Sequence, residues 1–318
     1  MKAIVNKKYG SPDILEFREV MRPEPKPHEV LVKVLAASIN KADWFLLQGE
    51  PFPVRLMAGF FKPNNQILGA DVVGVVERIG NNVTQFKIGQ EVFGDLSGSG
   101  FGGFAEYVTT EEKYLALKPS NLSYEQTAAL PMAAITALQG LRDKGEIAEK
   151  EQVLINGGSG GVGGFSIQIA KSFGAEVTSV CNTNKVDLAI KQGADIVIDY
   201  TKQDFTKNGK QYDLIFDVIG NHSINAIDRV LKKGGRYVLC AFSIENMFFG
   251  FWKSMVKGKK MTNLLASANQ ADLQFISKLA EEGKLNPVIQ KTFTLDDVPD
   301  ALRMIGKGGA SGKLVITI

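Results

Sequence analysis

Only two cysteines and two histidines occur in the 318 residues of this chain. A structural zinc typically takes four ligands, mostly Cys, and a catalytic zinc takes three from Cys, His, Asp or Glu. With so few soft ligands neither site can be built in its usual form, and His28, in a Pro-rich loop, and His222, in a turn after Gly220, are expected as loop residues. Nor is there a disulfide framework. Cys181 and Cys240 follow apolar, strand-like runs far apart in sequence and read as small buried hydrophobes in a reducing compartment. No run approaches membrane-spanning length. The apolar part of the leading MKAIVNKKYG is too short for a secretory signal, so a cytoplasmic protein is expected. Charge of one sign is also lacking: 37 Lys and Arg against 34 Asp and Glu leave +3, with no basic aromatic patch, and a nucleic-acid partner is not expected. What remains, 44% hydrophobic and 22% charged, suits a globular protein long enough for two domains.

The most informative stretch runs from Val153 to Phe173, VLINGGSGGVGGFSIQIAKSF. Val153, Leu154 and Ile155 form a continuous apolar run, as in a parallel strand covered on both faces. The turn Gly158-Ser159-Gly160-Gly161-Val162-Gly163 is a G-x-G-x-x-G. Its first glycine permits a tight turn, its second lets a pyrophosphate approach the backbone, and its third lets helix and strand pack closely. The helix N-terminus that follows favours an anion through its free N–H groups and its macrodipole. Such a motif alone could be a flexible Gly-Ser loop. A strand before it and a helix after it favour dinucleotide binding.

The next strand, Ala175 to Val180, bears on which dinucleotide. An NAD site places Asp or Glu at its end, on the ribose 2′-hydroxyl. Here the chain reads Cys181-Asn182-Thr183-Asn184-Lys185. With no acid there to repel a 2′-phosphate and a Lys to attract it, NADPH is favoured over NADH. Lys185 could also be a solvated residue in the first turn of the next helix.

Short alternating runs punctuated by Gly, Pro and Asn extend from Met1 to about Pro119. Strands are expected at Lys2–Val5, Glu29–Ala36, Asp71–Ile79 and Glu91–Phe93, forming a compact barrel-like body. Lys41–Gln48 can make one or two helical turns, and Ser97–Gly103 reads as a mobile loop of the kind used for lids. From Ser123 the pattern turns helical. Strands at Ile196–Asp199, Leu214–Val218 and Arg236–Leu239 then follow βαβ logic, which predicts a doubly wound parallel sheet. The end of the chain, helix then strand twice, returns to the first body. The expected domains are 1–121 with 262–318, and 122–261.

Several motifs in order carry a family resemblance: Ser38-Ile39-Asn40-Lys41-Ala42-Asp43, Leu68-Gly69-Ala70-Asp71-Val72-Val73-Gly74, Gly102-Gly103-Phe104-Ala105-Glu106-Tyr107, the glycine turn, Phe216-Asp217-Val218-Ile219-Gly220, Lys233-Gly234-Gly235-Arg236-Tyr237 and Gly312-Lys313-Leu314-Val315. Over essentially its full length the chain resembles the zinc-independent, quinone oxidoreductase-like branch of the medium-chain dehydrogenase/reductase superfamily, which includes zeta-crystallin. The resemblance implies an α/β fold, a Rossmann domain binding NADPH plus a β-rich GroES-like catalytic domain, and a homodimer formed through the nucleotide domains. It places Asn40 and Gly69-Ala70-Asp71 where zinc-containing relatives carry a catalytic Cys and a Gly-His-Glu. It puts Asn40 and Asp43 near the nicotinamide, Thr136 facing the cofactor, and Ala241, Phe242 and Ser243 at the carboxamide. Lys185, Tyr200 and Lys307 would hold the 2′-phosphate. Plainer roles stand beside these: Asp43 capping a helix, Asn40 satisfying a turn, Tyr200 packing on a sheet edge.

Without zinc as Lewis acid, hydride should pass from NADPH to an acceptor already electrophilic, a quinone or an α,β-unsaturated carbonyl. A 2-alkenal or enone double-bond reductase is the alternative within enzymes, and a redox-silent NADPH-binding protein the alternative outside them. Related enoyl-thioester reductases place a tyrosine proton donor shortly after Asn-x-x-Asp; Trp44 to Phe52 contains none. Two aromatic segments stand apart from these motifs: 244–255, read as an interface helix or an apolar wall, and 52–61, which contains Arg55 and could form an opposite wall.

Overall fold

The computed structural model describes residues 1–240 and 258–318. The chain divides into two compact units, Met1–Met132 with Ser267–Ile318, and Ala133–Ala266.

The first unit is built on strands β1 (Lys2–Val5), β2 (Glu16–Glu19), β3 (Glu29–Ile39), β4 (Asp71–Ile79), β5 (Glu91–Asp95), β6 (Tyr107–Glu111) and β7 (Leu115–Leu117). β1 and β2 pair with each other, and β3 is the longest strand and the organiser of the main sheet. Its first half pairs with β6 and its last four residues pair with the chain's final strand, while β4 runs along the other side. Val30, Val32 and Val34 of β3 pack on Val72, Val76, Phe86, Val92 and Leu115. On a second face Ile39, Leu47, Leu68, Phe104, Leu302 and Leu314 form another core, against helices Lys41–Gln48 and Val298–Gly306. The first of these starts at Asn40, in extended conformation, and stops at Gly49, whose φ of 64° only glycine adopts readily.

The second unit holds β8 (Gln152–Asn156), β9 (Glu176–Cys181), β10 (Ile196–Asp199), β11 (Tyr212–Asp217), β12 (Leu231–Leu239) and β13 (Lys260–Asn263). All pair in parallel, in the order β10-β9-β8-β11-β12-β13. This is the doubly wound order, and its switch point lies between β8 and β11. β14 (Ile289–Thr294) and β15 (Lys313–Thr317) return to the first unit, where β15 inserts between β14 and β3.

Both unit boundaries fall later than 121/122 and 261/262. Helix Tyr124–Ala128, whose N-cap Ser123 accepts from Gln126 N–H, packs on β3, β4 and β15 and stays with the first unit. β13 is the sixth strand of the second sheet, so a cut at 262 would split it. The Ser97–Gly103 segment also differs from the expected mobile loop. Ser99 and Phe101 N–H groups donate to Leu96 O, Thr110 Oγ1 donates to Ser99 Oγ, and Gly103 N–H donates to Gly69 O at 2.9 Å. These bonds tie it to the turn at Leu96, to Gly69 ahead of β4 and to Thr110 of β6.

Candidate functional site

The glycine turn follows β8 at the switch point, where open α/β sheets bind ligands beyond the carboxyl ends of their strands. Its glycines are not equivalent. The left-handed residue is Gly157, at φ 90°, one position ahead of the G-x-G-x-x-G, and not Gly158 as the motif alone suggested. A Cβ on Gly158 would lie 2.1 Å from Ser179 Oγ, so this glycine serves close packing on β9. At Gly160, the N-cap of helix Gly161–Ser172, a Cβ would meet nothing nearer than Gly157 O at 3.7 Å. Space is therefore left at the second glycine, where a pyrophosphate would approach the first N–H groups of the helix. Ser159 is buried beside it, and Gly161 and Val162 begin the helix.

Beside this turn the carboxylate of Asp217, at the end of β11, is fully buried and four times hydrogen-bonded. Oδ1 accepts from Asn156 Nδ2 at 2.8 Å, Ile219 N–H at 3.0 Å and Gly220 N–H at 2.8 Å; Oδ2 accepts from Tyr237 O–H at 3.0 Å. It ties the ends of β8, β11 and β12 together and shapes the loop after β11. Burial, and then the Asp217 charge, raise the Tyr237 hydroxyl above its usual range and push the Cys240 thiol up to about 11.

Lys185 and Tyr200 follow the carboxyl ends of the paired strands β9 and β10. Tyr200 N–H donates to Cys181 O at 3.0 Å, and its ring is exposed; Lys185 follows Cys181 by one short turn, and partial burial lowers its pKa. One acid missed in the sequence stands next to them. Asp199, from the end of β10, accepts from Thr183 Oγ1 at 2.6 Å and Thr201 Oγ1 at 2.8 Å, and these hydroxyls, the Thr201 N–H and Lys202 hold its carboxyl down at about 2. Its carboxylate is thus ionised, with its two oxygens engaged by these hydroxyls. Thr136 is buried in helix Pro131–Leu138 of the same unit. Lys307 is exposed and belongs to the other unit, just past helix Val298–Gly306. Ala241, Phe242 and Ser243, and the aromatic segment 244–255, lie outside the described residues.

In the first unit Asn40 and Asp43 are brought together, with roles that separate. Asp43 is completely buried and accepts from two backbone donors, Asn40 N–H at 2.8 Å and Gly69 N–H at 3.1 Å. Burial raises its carboxyl to about 7, with the nearby Asp71 charge adding to the rise. Asp43 therefore fastens the start of helix Lys41–Gln48 to the Leu68–Asp71 segment, the capping role that the sequence left open. Asn40 instead belongs to a polar group that includes residues the sequence offered only as motif members. Asp71 Oδ2 accepts from Ser38 Oγ at 2.6 Å, Asn40 Nδ2 at 2.8 Å and Lys313 Nζ at 3.2 Å, while its Oδ1 accepts from Met132 N–H at 2.8 Å. Lys313 Nζ also donates to Asn40 Oδ1 at 2.6 Å. A lone Lys opening the apolar run LVITI was the signal available for it.

The 52–61 patch is also seen. Phe52, Leu56, Phe60 and Phe61 are exposed, with Phe60 edge-on to both Phe52 (centroids 5.8 Å apart) and Phe61 (4.8 Å). Arg55 stacks over the Tyr9 ring and donates to Gly49 O, so its charge is spent on holding this segment.

Comparison with known proteins agrees with this layout. Residues 26–120 match the alcohol dehydrogenase GroES-like domain and residues 192–316 the zinc-binding dehydrogenase family. The chain is 37% identical to the 2-methylene-furan-3-one reductase of Solanum lycopersicum, over 99% of this chain and 79% of that protein. It is 34% identical to an NADPH-dependent alkenal/one oxidoreductase, chloroplastic, of Arabidopsis thaliana, with the same coverage. Among solved structures, the quinone oxidoreductase from Coxiella burnetii superposes with a TM-score of 0.89 at 31% identity, covering 100% of this chain and 99% of that one. The first unit is thus a GroES-like domain and the second a Rossmann domain, and the chain belongs to the medium-chain dehydrogenase/reductase superfamily, among its quinone oxidoreductase-like members.

Proposed function

We propose that this chain is a zinc-independent, NADPH-dependent reductase that delivers hydride to quinones or to the activated double bond of α,β-unsaturated carbonyls. The observation that carries the reading is the group formed by Asn40, Asp71 and Lys313. One of the two matching family descriptions names zinc, and the residues here do not fit that metal. An amide and a carboxylate are already bridged by an ammonium, and among the described residues no three His, Cys, Asp or Glu side chains are grouped to hold a metal ion. An acceptor served by this site must be electrophilic before it binds.

NADPH supplies the hydride. The chain's residues hold and orient it: the open backbone at Gly160 receives the pyrophosphate, and Lys185 with Tyr200 favours the 2′-phosphate. On the acceptor side, the Asn40 Nδ2 hydrogen not given to Asp71 is a donor for the oxygen on which negative charge develops. A proton from solvent or a nearby side chain completes the reduction. The exposed Phe52, Phe60 and Phe61 rings support an apolar, flat acceptor. Two free cysteines fit a reducing, cytoplasmic setting, and a homodimer through the Rossmann unit completes the reading, to be checked by light scattering.

The test is loss of NADPH absorbance with an ortho-quinone and with a medium-chain 2-alkenal, beside NADH, with EDTA throughout. Turnover unaffected by EDTA and faster with NADPH is expected. Full inhibition by the chelator, or NADPH that binds without ever being oxidised, would overturn the reading.

A further inference from the structure

A row of polar side chains crosses four neighbouring strands of the GroES-like unit. The β15–β3 register sets Leu314 opposite Ile39, which brings Lys313 to Asn40; Ser38 lies opposite Asp71 across β3 and β4, and Asp71 opposite Asp95 across β4 and β5. Lys313 is 4% exposed and Asp71 fully buried. Taking an ammonium and a carboxylate out of water offsets most of their attraction, so such a pair is weak support for stability. What it does supply here is orientation. An amide side chain can usually turn over, exchanging its oxygen for its nitrogen at little cost. At Asn40 it cannot, because Oδ1 faces the Lys313 ammonium and Nδ2 faces the Asp71 carboxylate. The reversed amide would set donor against donor and acceptor against acceptor.

We propose that Lys313 is a positioning residue for the reaction, holding the Asn40 amide in one orientation so that its second Nδ2 hydrogen is presented to the acceptor oxygen. Its ammonium takes the amide oxygen and balances Asp71. This inference rests on the role given to Asn40 above, and the experiment separates the two.

Lys313→Met keeps the aliphatic stem and removes the charge, while Lys313→Met with Asp71→Asn removes both charges of the pair. In Lys313→Met, kcat should fall by roughly tenfold or more, with the KM for NADPH unchanged. The double variant should regain thermal stability without regaining kcat; recovery of both would reduce Lys313 to a counter-charge and overturn the proposal. A second readout needs no turnover. The side-chain amide resonances of Asn40, identified by their loss in Asn40→Ala, should be well separated and slow to exchange in the native chain, and should merge towards free-amide positions in both Lys313 variants. Unchanged resonances would overturn the positioning role. If Lys313→Met fails to fold, the double variant decides by the same two measurements. If the native enzyme reduces no acceptor, the functional reading fails while the resonances still decide the orientation.

Discussion

A Cβ on Gly163 would lie 2.1 Å from the carbonyl oxygen of Gly157, whereas one on Gly160 would meet that same oxygen only at 3.7 Å. Helix and turn packing requires the glycine at 163. At 160 a Cβ is uncrowded, so the proposed approach of a pyrophosphate is the reason left for the glycine there. Gly160→Val, in an extended conformation that valine accepts, is therefore expected to abolish NADPH binding by fluorescence titration while shifting stability by no more than about 0.5 kcal/mol. Gly163→Ala should cost about 1–3 kcal/mol in urea unfolding through overpacking. Retained NADPH affinity in Gly160→Val would mean that the pyrophosphate lies elsewhere.

Lys185→Ala should raise the KM for NADPH about tenfold, the loss of one charge-assisted bond to phosphate, and leave that for NADH nearly unchanged. Asp199→Asn should act in the opposite sense, lowering the KM for NADPH, because it removes the only carboxylate described at the end of β10. Equal effects of Lys185→Ala on both cofactors would sink the 2′-phosphate assignment.

Asp43 and Asp95 both have carboxyls raised to about 7, first by burial and then by the Asp71 charge. In the unfolded chain such groups titrate near about 4. Between those limits the folded chain keeps protons that the unfolded chain has released, so raising the pH favours unfolding. Their protonation thus stabilises the fold fully below about pH 4, and this contribution is lost as pH rises through about 7. The Tm should drop by several degrees from about pH 5 to about pH 8, and Asp95→Asn, which still accepts from Ser97 N–H, should flatten the slope. A slope unchanged in Asp95→Asn would remove that residue from the account.

Tyr237→Phe deletes one of the four hydrogen bonds to the buried Asp217 carboxylate. A cost of about 1–3 kcal/mol is expected in urea unfolding, with NADPH affinity preserved because the Ile219 and Gly220 bonds still hold the loop. Asp217→Ala releases that loop and should weaken both stability and cofactor binding. Normal affinity in Asp217→Ala would show that the loop after β11 plays no part in the cofactor site.

Features set by neighbouring residues were legible in the sequence: β1 and β4 as drawn, helix Lys41–Gln48, and the strand-turn-helix around the glycines. Features set by pairing were not. β2, Glu16–Glu19, is exposed at every position and exists as a strand because β1 lies beside it. The loop at Ser97–Gly103 has the composition of a lid, yet the groups that pin it come from Gly69 and Thr110. In the candidate site Asn40 was readable as a motif member, but its contact with Lys313 spans 273 positions and depends on the register of β15 on β3. Asp199 was invisible for a similar reason, since its carboxylate reaches Thr183 only because β10 lies next to β9.

The placement of β15 between β14 and β3 has a consequence for synthesis on the ribosome. Asp71 emerges 242 residues before the Lys313 that neutralises it, and the whole Rossmann unit is made in that interval. A nascent GroES-like half therefore carries an unpaired carboxylate in what will become its interior, together with an unfilled strand position beside β3. The Rossmann unit, continuous in sequence, can close first, and the older half of the chain waits for the newest strand before it can finish folding.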